Sequence, residues 1–163
     1  MSLPPFIFEQ INPVFQKAFI LFIFCAGTYT THAQYWQQQV NYNIDVVLHD
    51  TDHTLQGFET ITYINHSPDT LRFIYFHLWP NAYKNDRTAF SEQFLKNGNT
   101  KFYFSKEEDR GYINQLNFEV DGINANLITD SENIDIAKLI LPKPLPPKGS
   151  ITITTPFHIK LPY

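Results

Sequence analysis

From Val40 onward, apolar and polar positions alternate with a period of two. Val40, Tyr42, Ile44, Val46 and Leu48 interleave with Asn41, Asn43, Asp45, Val47 and His49. Successive side chains of an extended chain face opposite ways, so this pattern predicts a half-buried strand. Asp50-Thr51-Asp52-His53 is a cluster of turn formers, and Thr54 to Asn65 returns as a second strand. Gly57 inside it predicts a bulge or a close backbone approach. Asn65-His66-Ser67-Pro68-Asp69 closes the strand. Leu71 to Trp79 is apolar on both faces, with Phe73, Tyr75 and Trp79 set against Ile74, Phe76 and Leu78. That pattern predicts a central strand covered on two sides.

The rhythm breaks between Pro80 and Tyr112. A short helix over roughly Arg87 to Asn97 fits there: Phe90 and Phe94 share a face, Asp86 or Thr88 can cap its start, and Gly98 can end it. Lys106-Glu107-Glu108-Asp109-Arg110 is a mixed-charge, solvated segment. Strands resume at Ile113 to Val120, turn at Asp121-Gly122, and continue over Ile123 to Ile128 and Ile134 to Leu141. Pro142-Lys143-Pro144-Leu145-Pro146-Pro147-Lys148-Gly149 predicts a rigid connector that cannot donate to a central ladder. Ile151 to Leu161 is the last strand. About seven strands and one short helix make an all-β, mainly antiparallel domain, either a sandwich or a curved sheet.

Ahead of this body stands a run of another kind, Ala-Phe-Ile-Leu-Phe-Ile-Phe-Cys-Ala-Gly from Ala18 to Gly27. It is too short for a bilayer helix of about 20 residues and matches the apolar core of a secretory signal. Lys17 is its positive flank, and Thr31-His32-Ala33 is a small-x-small cleavage site. The preceding stretch, with Glu9, Pro4, Pro5, Pro13 and no basic residue before Lys17, is an atypical leader. The expected division is therefore a signal peptide with irregular leader over 1–33 and a β-domain over 34–163, in an exported protein.

Composition then narrows the function. Of 163 residues, 43% are hydrophobic and 17% charged, which suits a packed core and argues against disorder. The net charge of −4 disfavours a nucleic-acid binder, which needs clustered Lys and Arg. The one cysteine, Cys25, excludes an intrachain disulfide and a Cys-based zinc site.

Candidate chemistry is sparse. His49 and His53 flank Asp50 and Asp52 as in a metal site, but they straddle a strand end and a turn, and a polar hairpin tip explains them better. Trp36, Trp79, Tyr75 and Tyr83 could form an aromatic platform for sugars, although aromatics also dominate cores; Trp79 is expected in the core. Asn65-His66-Ser67 is a glycosylation acceptor pattern, weakened by Pro68 and better explained as a turn. There is no G-x-S-x-G and no glycine-rich phosphate loop.

Several stretches, in order, resemble the start of the zinc aminopeptidase family typified by aminopeptidase N and leukotriene hydrolase, in its exported bacterial branch. They are Tyr42-Asn43-Ile44-Asp45-Val46-Val47-Leu48, His53-Thr54-Leu55-Gln56-Gly57, Ile61-Thr62-Tyr63-Ile64-Asn65-His66-Ser67-Pro68-Asp69, Phe76-His77-Leu78-Trp79-Pro80-Asn81-Ala82-Tyr83, Pro144-Leu145-Pro146-Pro147-Lys148-Gly149 and His158-Ile159-Lys160-Leu161-Pro162. The resemblance implies a saddle-shaped N-terminal β-domain that packs on a catalytic domain and helps wall its substrate channel. It implies that zinc sits in that catalytic domain, on the two His of H-E-x-x-H and a downstream Glu, with the motif's own Glu as general base. It also implies a G-x-M-E-N-type loop for the substrate's amino end. This chain has no His followed by Glu, and its one Met is Met1. No catalytic, cofactor-binding or metal residue is therefore assigned to it, and no cofactor is expected in this chain. The expected partner is the catalytic domain, with peptide substrate reached only through that domain and no membrane span left after signal cleavage. On this view 34–163 is incomplete at its C-terminal side, with an open, aggregation-prone last strand. The alternative is a free-standing exported β-sandwich that binds a carbohydrate or a protein partner.

Overall fold

The computed structural model describes residues 36–163; Cys25 and the expected signal and cleavage site lie outside the described residues. The described chain is an all-β, sandwich-like domain of two antiparallel sheets. In order its elements are β1 (Gln39–His49), β2 (Thr54–Ile64), β3 (Leu71–His77), α1 (Ala89–Lys96), β4 (Tyr112–Asn114), β5 (Glu119–Val120), β6 (Ile123–Asn124), β7 (Leu127–Thr129), β8 (Ile136–Leu145) and β9 (Ser150–Lys160). Short 3₁₀ turns cover Trp79–Tyr83 and Glu107–Asp109.

The large sheet runs β1-β2-β9-β5-β6, with β4 also on β9. Its register puts Tyr42, Ile61 and Ile153 side by side, and likewise Val46, Gly57 and Phe157. One face is therefore apolar and the other polar, as the alternation in β1 and β2 requires. The small sheet runs β3-β8-β7 and turns Ile74, Phe76, Ala137 and Leu139 inward. Ile61, Val120, Leu139, Leu141, Ile151 and Ile153 form the core between the sheets, closed by Phe118. Fully burying each Ile or Leu contributes about 1.5–3 kcal/mol.

Several expectations change. The strand from Ile113 to Val120 is two short strands, β4 and β5, separated by Gln115 at φ 59°. The strand from Ile123 to Ile128 also splits: β6 stays in the large sheet and β7 crosses to the small one. Asp121 (φ 50°) and Gly122 (φ 75°) make the tight turn between β5 and β6, a left-handed pair suited to a two-residue hairpin. The strand β8 continues through Pro142 and Pro144 to Leu145, beyond the expected connector boundary. Its ladder with β3 nonetheless jumps from Ile140 to Leu145, so the prolines sit in a bulge that asks no N–H of them.

Two corrections affect the surface. β3 is an edge strand, not a central one, and its outer residues Phe73 and Tyr75 are exposed. β9 is not open: it pairs with β2 on one side and with β4 and β5 on the other. Among the described residues, the long edge of the large sheet is β1 instead.

The helix α1 is shorter than expected but has the predicted ends. The Thr88 hydroxyl accepts the Ser91 N–H (3.3 Å) and donates to the Ala82 carbonyl (2.7 Å). At its other end Gly98 (φ 77°) donates to Leu95, and Asn99 to Phe94, both at 2.9 Å, which is a Schellman closure. Phe90 and Phe94 pack at 4.4 Å on the helix face, as their spacing implies.

Candidate functional site

The most distinctive site lies where β1 and β2 of the large sheet face β3 of the small one. The apolar face of β2 carries Leu55, Gly57, Glu59, Ile61 and Tyr63 in alternation, so one charged residue interrupts an apolar row. Register places Ile44 and Thr155 on either side of Glu59. The Thr155 hydroxyl is engaged elsewhere, accepting from the Asn117 N–H (3.0 Å) and donating to the Pro156 carbonyl (2.9 Å). Among the described residues, ion pairs join only Glu92 to Lys96 and Glu108 to Lys106, so Glu59 faces no cation of its own chain there.

A cleft of about 440 Å³ opens over this carboxylate, lined by Tyr42, Tyr63, Tyr75, His77 and Trp79 besides Glu59. The alternating pattern of β1 and β2 supplies Tyr42 and Tyr63, and the edge strand β3 with the following turn supplies the rest. Trp79 stacks on His77, with centroids 4.8 Å apart and planes 16° from parallel. Burial pushes the Glu59 carboxyl and the Tyr63 phenol above their ordinary values, because a poorly hydrated setting disfavours their charged forms.

The aromatic residues singled out in the sequence divide between places. Tyr75 (61% exposed) and Trp79 (67% exposed) both line this cleft, so Trp79 is not a core residue. It follows the edge strand β3, where no third layer of the described residues covers it. Tyr83 instead packs on Phe90 (4.4 Å) and Phe102 (6.1 Å) beside α1. A second cleft of about 620 Å³ lies over that cluster, with Asp109 and Tyr163 at its rim, and the Arg110 guanidinium sits 5.6 Å from the Phe102 ring. Trp36 is exposed and lines neither cleft.

His49 ends β1, and His53 (φ 50°) closes the turn into β2. The two flank a hairpin tip, where the His53 ring packs on Tyr163 at 4.3 Å. Among the described residues, no group of three His, Cys, Asp or Glu is placed to hold a metal ion, and no helix is long and apolar enough to cross a membrane.

Asn65 is a structural knot. It is 0% exposed, and its amide donates to the carbonyls of Asp69 (2.8 Å), Leu145 and Pro146 (both 3.2 Å). Its Oδ1 accepts from the Ser67 hydroxyl (2.7 Å) and the Ser67 N–H (3.0 Å). This is the turn reading of Asn65-His66-Ser67, and the buried amide has no room for a glycan.

Sequence reasoning missed Glu59, Tyr42 and Tyr63 as site residues. The signal was present: Glu59 is the charge on the inward row of β2. Comparison with models of known protein families and with curated protein sequences returns no match.

Proposed function

We propose that the chain is the non-catalytic N-terminal β-domain of an exported zinc aminopeptidase-like protein, which packs on a catalytic domain and walls its substrate channel. The observation that carries this is the uncovered half of the large sheet. Its apolar face is roofed by the small sheet at Ile61, Ile151 and Ile153, while Ile44, Val46 and Leu48 on the same face stay exposed. A contiguous apolar patch of this kind marks a surface that packs on something else. The ordered sequence resemblance names a catalytic domain as that something. The close approach at Gly57 and the carbonyl ties of Asn65 and Asn81 suit stretches that serve the scaffold. Zinc and its ligands belong to the catalytic domain in this proposal, and this chain contributes no group to the chemistry.

The test is the nucleotide sequence downstream of the Tyr163 codon. A reading frame that continues into H-E-x-x-H supports the proposal. A stop codon with no such frame nearby overturns it in this form. The second reading, a free-standing sandwich that binds a carbohydrate or a protein partner, is favoured by the exposure of Tyr75 and Trp79. A glycan-array screen of the purified chain, with Trp79→Ala as control, tests its carbohydrate form.

A further inference from the structure

We propose that the cleft between β2 and β3 is a binding site for an organic cation, an ammonium or guanidinium group held by Glu59 and lined by Tyr42, Tyr63 and Trp79. The inference does not depend on the parentage of the domain.

Three features converge on it. First, Glu59 is a carboxylate on an otherwise apolar row, with Ile44 beside it and no ion-pair partner among the described residues. A partly desolvated carboxylate without a counter-charge is costly, and a bound cation removes that cost. Second, the walls are aromatic. Tyr and Trp rings present a negative π face, which attracts a cation within about 6 Å. Third, the cleft's volume of about 440 Å³ falls in the range of small-ligand sites.

The elevated Glu59 and Tyr63 values report the same poorly hydrated surroundings. Two half-buried lysines show how aromatic rings of this domain behave with a cation. Lys138 Nζ lies 3.9 Å from the Phe73 centroid on the outer face of β3, and Lys160 Nζ lies 4.7 Å from that of Tyr163. Lys138 Nζ also lies 6.0 Å from the Tyr75 centroid on that outer face, but among the described residues no Lys or Arg lines the Glu59 cleft, which leaves it open to a cation from outside. The ligand's cation can be a free small molecule or the side chain of a protein; the chemistry of recognition is the same.

The experiment is calorimetric titration of the full chain at about pH 8, where an ordinary carboxylate is ionised, with four probes. Choline represents a free cation. Nα-acetyl-lysine amide and Nα-acetyl-arginine amide represent side chains, and 3,3-dimethylbutan-1-ol is the uncharged counterpart of choline. Saturable binding of at least one cation, without binding of the alcohol, is the expected result. Which cation binds more tightly identifies the source. Glu59→Gln should weaken that binding by about tenfold or more, the scale of one charge-assisted contact. Equal binding of the alcohol, no binding of any cation in the millimolar range, or an unchanged affinity in Glu59→Gln overturns the proposal. If Glu59→Gln loses its β-sheet circular dichroism, Tyr42→Leu and Trp79→Leu carry the test, because both side chains are exposed. Weaker binding in either supports the site, and unchanged binding in both overturns it. A failed titration leaves the domain's parentage untouched, and a stop codon after Tyr163 leaves the titration untouched.

Discussion

The ring of Phe157 lies directly against the bare α-carbon of Gly57. The two are cross-strand partners in the β2–β9 ladder, and a β-carbon at Gly57 would collide with the Phe157 ring and stand 2.8 Å from the Asp45 carbonyl oxygen. Gly57→Ala should therefore destabilise the domain by about 1–3 kcal/mol, the usual cost of overpacking, measured by urea denaturation. Phe157→Leu in the Gly57→Ala background should recover only part of the loss, because the Asp45 carbonyl belongs to the backbone and cannot give way. A Gly57→Ala chain as stable as wild type would show that β2 and β9 can move apart there.

Asn65 joins segments that are distant in sequence. Its side chain ties the start of the β2–β3 turn to Leu145 and Pro146, and its backbone closes the other half of the joint through Gly149 and Lys148. Asn65→Ala strips this partner from the Ser67 N–H and the Leu145 carbonyl, while the Asp69 and Pro146 carbonyls keep the Ser67 hydroxyl and the Gly149 N–H. Each buried group left unsatisfied costs about 1–3 kcal/mol, so the variant should lose about 2 kcal/mol or more. Asn65→Asp should be no better, since a carboxylate would face three carbonyl oxygens. Ser67→Ala removes one hydrogen bond and should cost about 1 kcal/mol. Thermal melts of the three variants check the order; equal melting of Asn65→Ala and Ser67→Ala would contradict it.

How far the sequence carries can be judged from these positions. The period-two rows of β1, β2 and β9 are legible because one face of the large sheet is apolar and the other wet, the condition under which alternation encodes register. The ends of α1 are legible because Thr88 and Gly98 act locally. β3 is misplaced because apolar residues on both faces suggest two covering layers. In the fold, Phe73 and Tyr75 face outward and Lys138 covers Phe73. The course of the chain from Ile113 to Leu145 is hidden for another reason. Where β6 gives way to β7 the chain changes sheets, and nothing in a short apolar run says which sheet its residues join. For the site, the sequence groups Trp36, Tyr75, Trp79 and Tyr83 as one possible platform, of which Tyr75 and Trp79 line the cleft, while α1 draws Tyr83 into its own aromatic cluster and Trp36 lies apart. Glu59 escapes notice because a charge within a strand has no motif; only the face it occupies gives it meaning.

The burial of Glu59 has a sign that can be measured. Its folded-state carboxyl titrates above its ordinary 4.5 because burial penalises the charged form. Between 4.5 and that raised value, the folded chain keeps a proton that the unfolded chain has released. Stability therefore falls as pH rises through this window, and the loss is complete above the folded-state value. Glu59→Gln removes the titration. Its melting temperature should match wild type below the window and exceed it above, with the difference levelling off toward neutral pH. Parallel melting curves across the series would mean that the carboxylate is as well hydrated in the fold as in the unfolded chain.

The edge strand β1 makes the last prediction, and it relocates a liability that the sequence places on β9. Among the described residues, β9 is paired on both sides, whereas β1 pairs only with β2 and presents Tyr42, Ile44, Val46 and Leu48 to solvent on the apolar side. A long edge with an exposed apolar face is prone to association, and a lysine is a common natural remedy. The isolated chain should therefore self-associate as its concentration rises, as followed by light scattering after size exclusion. Ile44→Lys or Val46→Lys should suppress this while changing stability by about 0.5 kcal/mol or less, as exposed substitutions usually do. Ile153→Lys, on the same face but 0% exposed, should prevent folding. Asn43→Lys separates the face from the edge, because it charges the same strand on its polar side. If it suppresses association as fully as Ile44→Lys, backbone pairing along β1 is the cause and the apolar face is not.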